Sequence, residues 1–154
     1  MRQPDQSKIQ NPKSKIAIAP PALAPPRGFS HGILVRGRRL LFLAGQTGVD
    51  GQGQVVAPGD LVAQYEQVLR NLQAVVTMAG GTMQDIVQIT IFVQDRDDYH
   101  AHRKALGRAH KAFFGDYYPA AALFEISRFY QDEVLVEIDG IAVLADQGEA
   151  ADAL

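Results

Sequence analysis

The 154-residue sequence has no cysteine, which excludes a disulfide framework, a thiolate nucleophile and a cysteine-ligated zinc. It also has little net charge. Fifteen Lys and Arg against 17 Asp and Glu leave a formal −2, so a nucleic-acid role would need a concentrated local patch. No stretch approaches the roughly 18 consecutive apolar residues of a membrane-spanning helix. Ile16 and its neighbours are apolar, but Pro20, Pro21, Pro25 and Pro26 interrupt the run before a secretion-signal core could form. These absences predict a soluble, cytoplasmic protein with no membrane partner. What is present is ordinary for a globular chain: 47% hydrophobic and 21% charged residues, in a length suited to one core.

Residues 1–28 mix Gln, Lys, Ser and Pro without periodicity and read as an extended or disordered lead-in, and residues 145–154 as a flexible tail. Between them, 29–144 reads as one domain. Residues 32–35 and 40–44 flank the polar turn Arg36-Gly37-Arg38-Arg39, the pattern of a β-hairpin, and a Gly-rich loop follows over 45–58. Asp60 is placed to cap a helix whose apolar residues, from Leu61, Tyr65, Val68, Leu69 and Leu72 to Val75, Val76 and Ala79, recur at three- and four-residue spacing up to Gly80-Gly81. Residues 87–93 alternate as a half-buried strand. Asp97 or Asp98 opens a second helix through Tyr99, Leu106, Ala109 and Phe113 to Gly115, and strands are expected over 122–129 and 134–143. This order predicts an α+β fold, a mixed sheet with two helices on one face. Phe92, Phe124 and Phe129 would then be left wet on the other face, which predicts sheet-to-sheet packing in a closed homo-oligomer.

On the last strand Glu137 and Asp139 share parity with Leu135 and Ile141, so both carboxylates project from a face that also carries bulky apolar residues. Two structural explanations are solvated acids on an edge strand and a pair neutralised by Arg128 across the sheet. The chemical explanation is a carboxylate at a cleft between subunits, positioning water or moving a proton. His100, His102 and His110 lie near Asp97 and Asp98, but His100 and His102 are two apart on a helix and diverge. No metal or cofactor is expected, and the three histidines read as surface or cleft-edge residues. His100, Arg103, Lys104, Arg108 and Lys111 form a basic stripe without interleaved aromatics for base stacking, which argues against nucleic acid as a partner.

Gly45-Gln46-Thr47-Gly48-Val49-Asp50, the helix ending in Ala79-Gly80-Gly81, the strand Ile89-Thr90-Ile91-Phe92-Val93 and the ending Val136-Glu137-Ile138-Asp139-Gly140-Ile141-Ala142 together resemble the Rid (YjgF) family, in consistent order over 29–144. The resemblance implies a chorismate-mutase-like α+β fold, a homotrimer whose sheets pack into a central barrel, and small-molecule clefts between neighbouring subunits. It implies hydrolysis of reactive enamines and imines with release of ammonia, an arginine holding the substrate carboxylate. Within Pro119-Ala120-Ala121-Ala122, Ala121 stands in that arginine's place. A methyl group supplies neither of a guanidinium's two parallel charge-assisted hydrogen bonds.

Phe29 stands where the family often has tyrosine, Ala44 where serine is common and Leu123 where cysteine is common. Glu137 matches the cleft acid, Gly45 the glycine whose backbone approaches the ligand, and either Arg103 or Gly107 the asparagine of the second helix. His31, at the entry to the first strand, with Gln46 and Ala122 beside matched positions, completes the expected cleft. Such a lining favours an uncharged or hydrophobic ligand over a small amino-acid-derived anion. Two functions follow: a deaminase-like hydrolase of altered specificity, with Glu137 as acid-base or water-positioning group, or a non-catalytic protein that binds a small metabolite.

Overall fold

Asp60 caps the first long helix as its position predicts, its Oδ1 accepting a hydrogen bond from the Ala63 amide at 2.9 Å and satisfying one of the unpaired first-turn donors. The computed structural model describes residues 15–18, 20, 21, 27, 29–35 and 39–145. Its elements are β1 (Lys15–Ile18), β2 (Gly32–Val35), β3 (Arg39–Thr47), α1 (Leu61–Met78), a 3-10 turn (Met83–Asp85), β4 (Ile86–Val93), α2 (Arg96–Ala101), α3 (Arg103–Phe114), β5 (Ala120–Glu125) and β6 (Val136–Leu144). Most of the lead-in, the polar turn at 36–38 and the tail at 146–154 lie outside the described residues.

Four strands form a mixed sheet in the order β3-β6-β4-β5, antiparallel except for the β4–β5 pair. Parallel neighbours need a long crossover, and α2 and α3 occupy it. One face of the sheet is covered: Tyr65, Val68, Leu69, Leu72 and Val76 of α1 share a core with Ile86, Ile89 and Ile91 of β4 and Val136, Ile138 and Ala142 of β6. Each large aliphatic side chain buried there stabilises by roughly 1.5–3 kcal/mol relative to exposure. On the same side α3, which buries Leu106, Ala109 and Phe114, packs on α1. The other face is open. Leu40 and Phe42 on one edge strand and Phe124 on the other are exposed at 60%, 72% and 53%, large apolar side chains left in water at both edges of the sheet.

The fold class is as expected, but several details differ. β2 pairs antiparallel with β1, Ile16 opposite Leu34 and Ile18 opposite Gly32, so among the described residues the hairpin partner of 32–35 is Lys15–Ile18 and not the following strand. The aperiodic lead-in therefore contains a strand. The second helix is two: Asp95, not Asp97 or Asp98, caps α2 through its Oδ1 and the Asp97 and Asp98 amides, and the chain breaks at His102 before α3 begins. β5 starts at Ala120 and stops at Glu125, which leaves Phe129 and Arg128 beyond it. Val75, counted with the apolar face of α1, is at the surface. No helix among the described residues is long and apolar enough to cross a membrane.

Candidate functional site

Alternation along β6 buries Val136, Ile138, Gly140, Ala142 and Leu144 on the helix side and turns Glu137, Asp139, Ile141 and Val143 to the open face. The strand is interior to the sheet, between β3 and β4, so its acids are not those of a solvated edge. Register sets Glu137 opposite Phe92 on β4 and Thr47 on β3, and Asp139 opposite Thr90. β3 shifts register between Leu43 and Gln46, and there the backbone of Gly45 comes against Glu137. A Cβ at Gly45 would collide with the carboxylate, lying 2.7 Å from its Cδ.

Two polar side chains of α1 hold these strands in place. Asn71 Nδ2 donates to the carbonyls of Thr47 at 3.0 Å and Val49 at 2.9 Å, while its Oδ1 accepts from Gln67 Nε2 at 2.9 Å. Gln64, fully buried, donates through Nε2 to Glu133 O and accepts the Leu135 amide on Oε1, both at 2.9 Å, and so fixes the approach to β6. A buried amide that pairs both its ends with backbone leaves no polar group stranded in the core.

Neither the Glu137 nor the Asp139 carboxylate has a hydrogen bond or ion pair among the described residues. Arg128 does not neutralise them: it lies past β5 and pairs with Asp132 at 3.6 Å on the surface. Desolvation raises the Glu137 pKa above the ordinary carboxylate value, and the Asp139 charge two residues along adds to the rise. A carboxyl so placed exchanges its proton nearer neutral pH than a free glutamate does.

A second feature lies at the β5 edge. The bridge of Ser30 to Ala120, with the Ser30 amide donating to Pro119 O at 3.0 Å and Ser30 Oγ to Tyr118 O at 2.7 Å, lays residues 29–31 beside the start of β5. Between them is an open depression of about 350 Å³ lined by Phe29, Ser30, His31, Gln88, Ala120, Ala121 and Ala122. Phe29 and His31 pack edge to face with centroids 5.3 Å apart. Ala121, opposite Ile89, is half-buried against the core, whereas Ala122, opposite Thr90, is on the open face.

The sequence-derived cleft thus divides into two groups. Phe29, His31, Ala121 and Ala122 gather at the depression; Gly45 meets Glu137 across β3 and β6, with Ala44 and Gln46 beside it, joined by a hydrogen bond from Gln46 Nε2 to Ala44 O at 3.2 Å. Within one chain β4 separates Glu137 from β5, and the depression lies toward the Gln88 end of β4, away from Phe92 and Glu137. Leu123 shares the covered-side parity of Ala121 and does not line the depression. Arg103 opens α3, which packs on α1 on the covered side, so it is off the face that carries Glu137.

Sequence reading missed Gln88 and Ser30. The signal for Gln88 was its parity with Thr90 and Phe92 on the mixed face of β4. The histidines separate: His102 Nδ1 is 3.0 Å from Asp98 Oδ1, and His110, expected at the surface, is buried between the rings of Phe114 and Tyr118 with Nε2 3.0 Å from Tyr117 O. Its burial lowers its pKa. Among the described residues no group of three or more ligating side chains could hold a metal.

The family model described as Endoribonuclease L-PSP matches residues 20–144. A RutC family protein of Pyrococcus horikoshii is 32% identical over 108 residues, 70% of this chain and 82% of its own length. A 2-iminobutanoate/2-iminopropanoate deaminase of Salmonella typhimurium is 36% identical over 107 residues, 68% of this chain and 79% of its own. The solved structure of a conserved Rid family protein from Yersinia pestis superimposes with a TM-score of 0.77 at 32% identity, covering 85% of this chain and 99% of that one.

Proposed function

The chain belongs to the endoribonuclease L-PSP family, the Rid (YjgF) family of the resemblance, and from that premise we propose that it hydrolyses an imine or enamine of low negative charge in clefts shared between copies of a homotrimer. The observation that carries this reading is Glu137: a partly desolvated carboxyl of raised pKa, unpaired among the described residues, on an apolar sheet face that a second copy would cover. The deaminase among the relatives supports the reaction class.

Water adds across the C=N bond, Glu137 giving a proton to the nitrogen and its carboxylate taking one from the attacking water. The carbinolamine so formed expels ammonia and leaves a carbonyl. Packing the open faces of neighbouring copies together, as in a central barrel, would bring the Glu137 of one to the depression of the next. Ala121 removes the guanidinium that grips a substrate carboxylate, so the substrate differs from a 2-imino acid in its charge.

The test is ammonia release from imines generated in situ by an amine oxidase and by an amino-acid oxidase. Acceleration should be greater for the uncharged imine and should fall about 100-fold or more in Glu137→Gln, the usual range for loss of a general acid-base group. Absence of any acceleration by the native protein would favour a non-catalytic binding protein instead. RNA has less support: Lys111 of the basic stripe is engaged by Asp116 at 2.9 Å, and the neighbouring His110 is turned inward.

A further inference from the structure

Among the described residues, the lining of the depression has no lysine or arginine, and His31 is its one ionisable residue. Its side-chain amide comes from Gln88, and the backbone explains why. β4 shifts register between Ile86 and Gln88, so Ile86 and Val87 are both buried and Gln88 turns to the open face. Gly140 makes room for this: a Cβ there would collide with the Gln88 carbonyl.

The Gln88 amide is half satisfied. Its Nε2 donates to Thr90 Oγ1 at 3.1 Å, and the other end of the amide has no partner among the described residues. A primary amide carries no charge and offers an acceptor oxygen and a donor NH2 side by side, whichever way round it is set. A carboxylate brought against it would lose hydration and gain no cation, whereas an uncharged polar group would exchange hydrogen bonds at little cost.

We propose that Gln88 is the specificity-determining residue of the depression, selecting a ligand that carries a carboxamide or another uncharged hydrogen-bonding group and packs its apolar part against Phe29, Ala120 and Ala122. This rests on the ligand cleft of the proposed function and names the substrate class for it.

Isothermal titration with 2-oxobutanamide and 2-oxobutanoate, which match in shape and differ in charge, tests it on the native protein and on Glu137→Gln. Both should bind the amide at least about tenfold more tightly than the carboxylate, a modest return for one satisfied polar contact. Gln88→Leu should bring the two affinities within about twofold, and Gln88→Glu should widen the preference by repelling the anion. Melting curves establish that each variant is folded. Equal or tighter carboxylate binding by the native protein, a preference undiminished in folded Gln88→Leu, or no saturable binding of either probe would overturn the inference. Amide preference without ammonia release removes the hydrolytic reading and leaves Gln88 as selector; Glu137-dependent ammonia release without amide preference does the reverse.

Discussion

Gly45 owes its identity to a neighbour. Its φ is not among the positive values, which among the described residues belong to Ala57, Gly53, Gly59, Gly80 and Gly115, so the backbone alone would admit a side chain there. The Glu137 carboxylate is what excludes one. Gly45→Ala should therefore displace that carboxylate and lower the hydrolytic rate by about tenfold or more, as small misplacements of a reacting group do, while the melting temperature changes by a few degrees at most. A rate equal to the native would show that the contact is irrelevant to chemistry.

The raised pKa of Glu137 has a sign that can be measured. The folded protein holds this proton to higher pH than the unfolded chain, so the stability linked to it is present at low pH and lost as pH rises through the native pKa. Glu137→Gln cannot ionise, so its melting temperature should gain on the native protein as pH rises from the ordinary carboxylate range through the raised native pKa. A difference independent of pH would contradict the desolvation described. Strand parity made both acids legible in the sequence. Their lack of a partner was not, because it depends on Arg128 lying beyond the end of β5 and turning to Asp132.

Among the elements, α1 both covers the sheet and sets the strands that carry the acid and its glycine. Its cap and apolar face are written in local spacing and were legible; its two polar clamps were not, since Gln64 reaches residues 69 and 71 positions away. Replacing Gln64 with Leu keeps the volume and strands the Glu133 carbonyl and the Leu135 amide. The expected cost is about 2–4 kcal/mol, read from the urea midpoint; a loss under about 0.5 kcal/mol would mean that water or a shift of the loop replaces the clamp. The break at His102 and the bulge at Val87 were likewise hidden. Each is a departure of one residue from a regular period, and periodicity averages over such departures.

For the molecule as a whole, the open face and the divided site are two views of one geometry. Leu40, Phe42 and Phe124 stand exposed on the side that carries Glu137, while the depression lies at the far edge strand. The open face followed from sequence, because two helices shield one face only. Which residues a covering copy would bring to it did not, since no single chain contains such an encounter.

Subunit mixing tests the shared site most directly. Glu137→Gln, lacking the acid, and Ala122→Phe, with the depression filled, should each be inactive in ammonia release while keeping the native oligomeric size. Co-expressed in equal amounts, they should regain about a quarter of the native rate, because random assembly brings an intact acid and an intact depression together in about one cleft in four. A mixture as inactive as its parents would place the whole site within one chain and contradict the account.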